Sequence, residues 1–451
     1  MFTDITWQDW AASGDQTALM LKAVELYKAS AGFHSALEAS AYFRGDNAAV
    51  RRKTILRARK VETRDEKGRK RVRAATQDVV GNRIPSGFLF RFVTQQNQFL
   101  LSEGCDLPLD IKARLGADFD RQLERLGERA LLHGTSWGYW NLDHLEVLEA
   151  ARNPYSGFVP LLDELTGEAM VGIEFWQVSP DRPLYVRLFE LDGVTVFRAT
   201  GEIFEIAQPK RAYRLMIRAD ALGESVSEAS NYQRLPIIPL HANDERRSEL
   251  TPAIKAKIDA YDNIMSDFAD NLDRANDVYW VLNNFGGTAD DVAELLEEIN
   301  RIKAVANLSD GTGATASAEP KTIEVPYAAR QAALTLLEKS LYQDYMALNM
   351  DVLTGGSLTN VAIRTATANL NLKANRYEWQ VRQFMESLLN LLNIPTTDIR
   401  FKRQSIANES EIIEDIAAMR GDIDRRTALR LNPYIQLEEM EELLGAEVVE
   451  E

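Results

Sequence analysis

The sequence predicts an α+β fold that is mostly helical, and three observations lead to this prediction. Long amphipathic segments with a single apolar stripe occupy much of the second half of the chain. Between residues 172 and 218, alternating β-branched segments have the period of antiparallel strands. The 451 residues are 45% hydrophobic and 27% charged, which is the balance of a globular protein with a sizeable core.

The first half of the chain is predicted to pass from helices to strands. Residues 15–44, 78–101 and 111–132 have helical periodicity, and the basic stretch Arg51–Arg73 is typical of a strand–turn–strand or a mobile loop. Asp192-Gly193 and Thr200-Gly201 mark hairpin turns, where residues that tolerate positive φ are needed. The predicted strands of the β block are Gly172–Val178, Leu184–Leu191, Val194–Ala199, Glu202–Ile206 and Ala212–Arg218.

A long amphipathic helix is predicted to begin at Thr251-Pro252, because a hydroxyl N-cap followed by proline is a helix-start signal. Its narrow apolar stripe is expected to pack against neighbours, while the acidic remainder faces water. The stripe consists of Ile254, Ile258, Tyr261, Met265, Phe268 and Leu272. The acidic remainder carries Asp259, Asp262, Asp267, Asp270 and Asp273.

A second amphipathic helix is predicted at 328–350, with a compact insert between the two helices. The insert is expected to hold strands at Val278–Leu282 and Thr322–Val325, a helix at Asp290–Ile302 and a small polar loop at Ser309–Ala318. The arrangement suggests a small head on a two-helix stalk, with the loop facing a partner. The apolar face of the second helix is formed by Leu334, Leu337, Leu341 and Tyr345.

The last part of the chain is predicted to be helical apart from one strand. A loop at residues 352–360 precedes a long helix that ends near Asn393, where Pro395 stops it. Residues 398–404 alternate like a strand. Three helices follow, at Glu409–Met419, Arg425–Leu431 and Leu437–Leu444.

Charge is distributed unevenly along the chain, whose net charge is −16. Arg51–Arg73 contains twelve Lys or Arg and three acids, whereas Glu409–Glu451 contains thirteen acids and four Arg. Opposite charges of this kind suit association between copies or separate docking surfaces. A solvated loop and a solvated tail would have the same pattern, so charge placement leaves both interpretations open.

Composition and motifs argue against most catalytic and cofactor-binding classes. One cysteine, Cys105, excludes a disulfide framework, and four histidines without paired spacing argue against a zinc site. The sequence has no P-loop, no apolar run long enough to span a membrane and no secretory signal, so an intracellular protein without a cofactor is expected.

The segment 134–138 contains G-x-S-x-G, the nucleophile-elbow pattern of serine hydrolases. That mechanism needs a strand before the serine and a helix after it, and the order predicted around Ser136 is the reverse. Asp181 and His241 would be the only triad partners in the required order. A glycine-eased turn between a helix and a strand is the favoured interpretation, and no catalytic residue is assigned.

Several segments, in order along most of the chain, resemble the portal proteins of tailed bacteriophages, especially those of long-tailed siphophages. Each motif alone is weak, and their order carries the resemblance. The segments are Ala41–Asn47, Leu131–Gly138, Asp163–Gly167 with Ile173–Trp176, Leu235–Pro239 before Ile258–Asp267, and Asp424–Leu429 with Asn432–Ile435 and Glu438–Glu441.

The resemblance implies a portal fold with a wing, a two-helix stem, a small α/β clip, a long tunnel helix and a helical crown, assembled as a ring. The wing would be residues 1–252, the stem 253–276 and 328–350, the clip 277–327, the tunnel loop and long wing helix 351–395, and the crown 396–451. The tunnel loop would contain Gly355, Gly356, Ser357, Leu358, Thr359 and Asn360. Partner-binding residues of the clip would be Ser309, Asp310, Gly311, Thr312 and Gly313.

The resemblance also implies a mechanical function. The ring, usually of twelve copies, would sit at one capsid vertex, assemble in the host cytoplasm and let double-stranded DNA pass without sequence-specific contact. Its other partners would be the terminase large subunit, the major capsid or scaffolding protein and a head-completion adaptor. Two alternatives stay open: an acidic helical scaffold or adaptor without a DNA channel, and a serine hydrolase that uses Ser136.

Overall fold

The computed structural model describes residues 3–64, 70–201, 203–219, 225–275, 279–283, 317–321, 327–350, 360–395, 399–401, 403, 409–419, 421 and 423–432. The helices among these residues are α1 (Trp7–Ala12), α2 (Gln16–Ala29), α3 (Ala31–Phe43), α4 (Ala48–Arg51), α5 (Phe88–Leu101), α6 (Leu109–Leu115), α7 (Phe119–His133), α8 (Pro252–Ala275), α9 (Tyr327–Tyr345), α10 (Asn360–Leu391), α11 (Glu409–Ala418) and α12 (Arg425–Leu431). The combination of these helices with antiparallel sheets fits the predicted α+β class.

The strands form small antiparallel sheets and one larger one. They are β1 (Thr54–Arg64), β2 (Lys70–Val80), β3 (Cys105–Asp106), β4 (Thr135–Asn141), β5 (His144–Leu148), β6 (Ala151–Asn153), β7 (Ser156–Leu162), β8 (Ala169–Trp176), β9 (Leu184–Glu190), β10 (Gly193–Thr200), β11 (Ile203–Arg211), β12 (Arg214–Ala219), β13 (Ser225–Ser230), β14 (Ile237–His241), β15 (Tyr279–Asn283), β16 (Ser317–Lys321) and β17 (Arg400–Phe401).

The chain divides into two compact units, each built from separate stretches of sequence. The first unit contains Met1–Phe43, Phe88–Thr251 and Tyr342–Glu451. The second contains Arg44–Gly87 and Pro252–Leu341.

The first unit is organised around a six-stranded sheet in the order β11-β10-β9-β8-β7-β6. Consecutive strands pair antiparallel, as the alternation of the sequence predicts, and Gly193 and Gly201 adopt positive φ next to the turns. A three-stranded sheet, β14-β4-β5, contributes to the same core. Aromatic side chains from α2 and α3, such as Tyr27 and Phe33, pack on Phe175 of the larger sheet.

The predicted helix at 78–101 is only partly correct. Residues 78–80 belong to β2, and the helix α5 begins at Phe88. Pro85 disfavours helical backbone in the residue before it. A Cβ atom at Gly81 would lie 2.9 Å from the side chains of both Asp270 and Ile55. The backbone at Gly81 therefore packs closely against these two side chains, and no helix forms there. The sequence between β2 and α5 is therefore an extended connection.

The second unit contains the β1–β2 hairpin, α4, α8, the β15–β16 pair and most of α9. The hairpin agrees with the strand–turn–strand interpretation of the basic stretch, and its strands pair from Thr54↔Val80 to Arg64↔Lys70. The strand predicted at Val278–Leu282 occurs one residue later. Its partner is Ser317–Lys321, and the predicted strand at 322–325 lies outside the described residues, as does the predicted helix at 290–302.

The C-terminal elements follow the predicted order in the part that the structure describes. Helix α10 runs for 32 residues, and it is followed by the short strand β17, which pairs with β3. Helices α11 and α12 match two of the three predicted crown helices to within one residue. The third, at Leu437–Leu444, lies outside the described residues.

Candidate functional site

Helices α8 and α9 pack side by side and run in opposite directions. Lys257, near the start of α8, donates a hydrogen bond to Ser340 near the end of α9 at 2.6 Å. Further along α8, Arg330 donates to the Asp267 carbonyl oxygen at 3.2 Å. The Phe268 ring lies 5.7 Å from the Tyr327 ring at the start of α9. The contacting residues come later along α8 as they come earlier along α9, so the two helices are antiparallel. In the sequence, β15 and β16 lie between these two helices.

The apolar stripe of α8 is divided between a buried beginning and an exposed end. Ile254 and Ile258 are buried within this single chain. Tyr261, Met265 and Phe268 are half-buried, and Leu272 is 47% exposed. On α9, Leu341 and Tyr345 are buried, whereas Leu334 and Leu337 are half-buried. The exposed end of the α8 stripe is thus the part that remains available to another molecule.

The expectation that the acidic side of α8 faces water is wrong for two of its five aspartates. Asp262 and Asp270 are buried, whereas Asp259 is half-buried and Asp267 and Asp273 are exposed. The buried pair lies with Ser266 at steps of four residues, on one line along the helix. These three side chains are covered by the extended connection between β2 and α5, which the sequence pattern did not indicate.

The connection is held to α8 by hydrogen bonds to its backbone. Asp262 accepts from the Ser86 amide at 2.9 Å, and the Ser266 hydroxyl accepts from the Ile84 amide at 3.1 Å. Asp270 accepts from the Asn82 amide at 2.7 Å. Each bond satisfies a backbone N–H that no strand or helix would satisfy. We call Asp262, Ser266 and Asp270 the polar seam.

One more residue, Asn47, completes the hydrogen bonds of the seam. The Asn47 side-chain amide donates to both the Asp262 carboxylate and the Ser86 carbonyl. Burial raises the pKa of Asp262, an effect that the hydrogen bonds from Asn47 and Ser86 oppose. Asn47 belongs to a segment that carries the family resemblance, but the sequence does not indicate that its side chain binds Asp262 and Ser86. The four-residue spacing of Asp262, Ser266 and Asp270 is visible in the sequence, but it does not indicate which segment covers these side chains.

The loops to which the sequence assigned contact with DNA and with partner proteins are largely outside the described residues. This holds for Gly355, Gly356, Ser357, Leu358 and Thr359, while Asn360 is the first residue of α10. It also holds for Ser309, Asp310, Gly311, Thr312 and Gly313. Their roles stay predictions.

The G-x-S-x-G segment has a structural explanation. Gly134 ends α7 with a φ of 84°, and a Cβ there would lie 2.4 Å from the Arg246 carbonyl oxygen. The buried Ser136 hydroxyl donates to the Leu126 carbonyl at 2.7 Å. Gly138 leaves room for the Phe384 ring. Helix α7 precedes the serine and β4 follows it, which is the reverse of a nucleophile elbow.

His241, the proposed triad base, contacts a different residue. Its Nδ1 lies 2.9 Å from the Thr135 hydroxyl, on the strand that pairs with β14. Burial, with a smaller contribution from Arg246, lowers the pKa of His241 to about 4. A neutral imidazole held against a threonine hydroxyl stabilises the β4–β14 pair, and nothing in this contact activates Ser136.

The lowered pKa of His241 predicts acid sensitivity of the first unit. Between pH 6.5 and about 4 the unfolded chain binds a proton that the folded chain excludes, so stability is lost as pH falls through this window. We expect a loss of about 2 kcal/mol after allowing for partial exposure. His241→Asn keeps an acceptor for Thr135 without titrating. Urea unfolding at pH 7 and pH 4.5 should therefore show a smaller pH dependence in this variant, and an equal dependence would contradict the assignment.

Within the described part of the chain, no group of three or more His, Cys, Asp or Glu is arranged to hold a metal ion. No helix there is both long and apolar enough to cross a membrane.

Comparison with known proteins gives concordant results. The family model of phage portal proteins of the SPP1 Gp6-like type matches residues 31–447. The portal protein of Clostridium phage phiCD119 is 24% identical over 342 residues, which cover 73% of this chain and 75% of that protein. The portal protein of Bacillus phage SPP1 is 31% identical over 226 residues, 46% of this chain and 43% of that protein. Because the family match extends over most of its length, the chain belongs to the SPP1 Gp6-like family of phage portal proteins.

Proposed function

We propose that this chain is the portal subunit of a tailed bacteriophage, and that twelve copies form a ring at one vertex of the capsid. Double-stranded DNA would pass through the ring during packaging and leave through it at infection. The observation that carries the proposal is the antiparallel α8–α9 pair with a strand pair between them in sequence, in a chain of the portal family. Both relatives compared above are named portal proteins, which supports it.

Within this proposal, each region has a part in the ring. Residues 1–252 would be the wing, α8 and α9 the stem, residues 277–327 the clip, and residues 396–451 the crown. The segment before α10, residues 351–359, would be the tunnel loop that lines the channel with α10 behind it. The clip would bind the terminase large subunit and later the head-completion adaptor, while the wing would contact capsid or scaffolding protein during assembly in the host cytoplasm.

The net charge of −16 suits a channel through which DNA slides. Each Lys or Arg that neutralises a phosphate adds affinity through counterion release, and so resists movement. An exposed carboxylate of the stem, such as that of Asp273, would repel the duplex over about 8–10 Å at physiological salt. Passage needs no base readout, so no recognition helix is required.

Negative-stain imaging of the purified protein tests the proposal. We expect rings with a central hole, and native mass spectrometry should give one predominant copy number. Compact oligomers without a hole would favour the alternative of an acidic scaffold. A strictly monomeric protein at the concentration of an assembling capsid would contradict the portal assignment.

The exposed end of the α8 stripe gives a prediction about assembly. Leu272→Asp places a charge where about half of the leucine side chain is open, so the single chain should fold while association between copies weakens by about tenfold. Ile258→Asp is the contrast, because Ile258 is 1% exposed and its loss should unfold the second unit. Circular dichroism and native mass spectrometry separate the two effects. Unchanged ring formation by Leu272→Asp would remove this face from the subunit contact.

A further inference from the structure

The two most exposed large apolar side chains in the described part of the chain lie at opposite ends of β8, in the first unit. Leu165, in the turn before β8, is 92% exposed, and Val178, two residues after the end of β8, is 83% exposed. The eight residues of the strand alone separate these two positions by about 27 Å. A single exposed apolar side chain needs no explanation, so the surroundings of each decide whether it is a contact.

The turn that carries Leu165 is held rigidly. The Asp163 carboxylate accepts hydrogen bonds from the backbone amides of Leu165 at 3.0 Å and Thr166 at 2.8 Å, which closes the turn on itself. Gln8 on α1 donates to the Asp163 carboxylate at 2.9 Å and accepts from the Glu164 amide at 3.3 Å, so a helix fixes the turn from outside. An apolar side chain on a fixed turn loses little conformational entropy when it is bound.

Residues 163–168, which we call the acidic tip, carry three carboxylates and no Lys or Arg. Glu164 and Glu168 are exposed near Leu165. A surface that receives this tip must therefore offer apolar contact to the leucine and positive charge to its neighbours.

A cavity of about 640 Å³ opens at the other end of β8. Trp176 and Val178 contribute apolar surface to its lining, together with Val147 and Val196 from neighbouring strands. The Trp176 ring is stacked on the Tyr185 ring, with 5.6 Å between the ring centres, so it is fixed in place. Because a cavity of about 150 Å³ holds a benzene molecule, this one has room for a leucine side chain and part of the turn that carries it.

The lining of the cavity has a surplus of positive charge. It contains three arginines and two glutamates, namely Arg125, Arg152, Arg187, Glu149 and Glu174. Arg125 pairs with Glu149 at 3.1 Å, and Arg187 pairs with Glu174 at 2.6 Å. Arg152 is exposed and has no ion-pair partner within the described part of the chain. Its guanidinium is therefore available to a carboxylate from another molecule.

We infer that the acidic tip of each copy inserts Leu165 into this cavity of a neighbouring copy, where the glutamates of the tip face Arg152. The inference rests on the proposed ring, in which each copy must present two different surfaces to its two neighbours. The tip and the cavity lie at opposite ends of one strand. Each contact between two copies thus leaves one tip and one cavity free, and the series continues until the ring closes.

A disulfide between copies tests this contact directly. Leu165→Cys and Val178→Cys are made as two separate variants and oxidised with copper phenanthroline. An equimolar mixture should give disulfide-linked pairs of chains, because the bond forms only when the two Cα atoms come within about 7 Å. Each variant alone should stay unlinked. The native Cys105 is buried, and burial raises the pKa of its thiol to about 12, so it does not interfere.

Leu215→Cys is the matched control, because it places a cysteine at another exposed leucine of the same unit. Mixed with Val178→Cys, it should not link. Equal linking by this control pair would indicate random collision, and links between copies of Leu165→Cys alone would indicate contact from tip to tip. Either result would overturn the inference.

Assembly provides a second measurement. Leu165→Ala should raise the protein concentration needed for half-assembly by about tenfold, because each junction loses a buried leucine. Arg152→Glu places a carboxylate opposite the acidic tip and should have a similar effect, which salt reduces. Leu215→Ala should assemble like the unmodified chain. Circular dichroism of the variants checks that these changes at exposed positions leave the chain folded.

This inference and the proposed ring fail in different ways. If the unmodified chain forms open filaments instead of rings and the cysteine mixture still links, the contact is supported and the ring is wrong. If rings form, the mixture does not link and Leu165→Ala assembles normally, the ring is supported and this inference is overturned. The acidic tip and the cavity would then be surfaces for other partners.

Discussion

Replacing Lys373 with methionine is expected to lower the free energy of unfolding of the first unit by about 3–5 kcal/mol, the cost of breaking a buried ion pair by removing one partner. Lys373 lies on α10 and forms an ion pair with Glu249 at 2.7 Å, and both side chains are less than 15% exposed. Methionine fills a similar volume, so the loss would come from charge and hydrogen bonding rather than from a cavity.

Lys373 makes two further contacts that methionine cannot make in the same way. Its ammonium donates to the Tyr345 carbonyl at 2.9 Å, at the C-terminal end of α9, where a cation interacts favourably with the helix dipole. It also lies 3.1 Å from the centre of the Tyr345 ring. Burial lowers the pKa of Lys373, and the nearby Glu249 carboxylate opposes this effect. One side chain thus connects α9, α10 and the segment before α8.

The double variant Lys373→Met with Glu249→Met is the control. If the single change is costly because it leaves a buried carboxylate unpaired, removing that carboxylate as well should recover part of the loss. Urea unfolding measures the total effect, and hydrogen exchange of peptides covering residues 342–350 reports on the end of α9. A single variant as stable as the unmodified chain would show that the ion pair contributes nothing.

Much of the secondary structure could be predicted because its signals are local. The start of α8 follows from a threonine and a proline, and its length follows from the spacing of apolar residues. The reversed order of helix and strand around Ser136 could also be predicted from the sequence. This order correctly favoured a structural turn over a nucleophile elbow. Family membership could be predicted as well, because the motifs occur in order over most of the chain.

The polar seam could not be predicted, because it depends on contacts between distant parts of the sequence. An aspartate on a helix normally faces water, and Asp262 and Asp270 are buried only because the connection after β2 lies over them. The same applies to Lys373, whose partner Glu249 precedes α8. Periodicity assigns a residue to a face of its helix, but it does not state what covers that face.

The polar seam leads to the second large effect, which concerns the second unit. Asp262→Ala is expected to lower its free energy of unfolding by about 3 kcal/mol, because two donors lose a buried carboxylate. The Ser86 amide would have no replacement acceptor, whereas Asn47 would keep its bond to the Ser86 carbonyl. Asp262→Asn should recover part of the loss, since its amide oxygen can still accept from the Ser86 amide, whereas its NH2 group would face the donating amide group of Asn47.

The exposed Asp267 provides the matched comparison on the same helix. Asp267→Ala breaks the ion pair with Lys53, but the Asp267 side chain is 58% exposed, so the expected loss is below about 1 kcal/mol. Thermal unfolding of both variants, with hydrogen exchange of residues 82–87, separates the two cases. Loss of Asp262 should expose that connection to exchange while α5 stays protected, because the seam fixes the path of the connection and not the helix after it. Equal effects of the two substitutions would mean that burial does not increase the contribution of the polar seam to the free energy of unfolding.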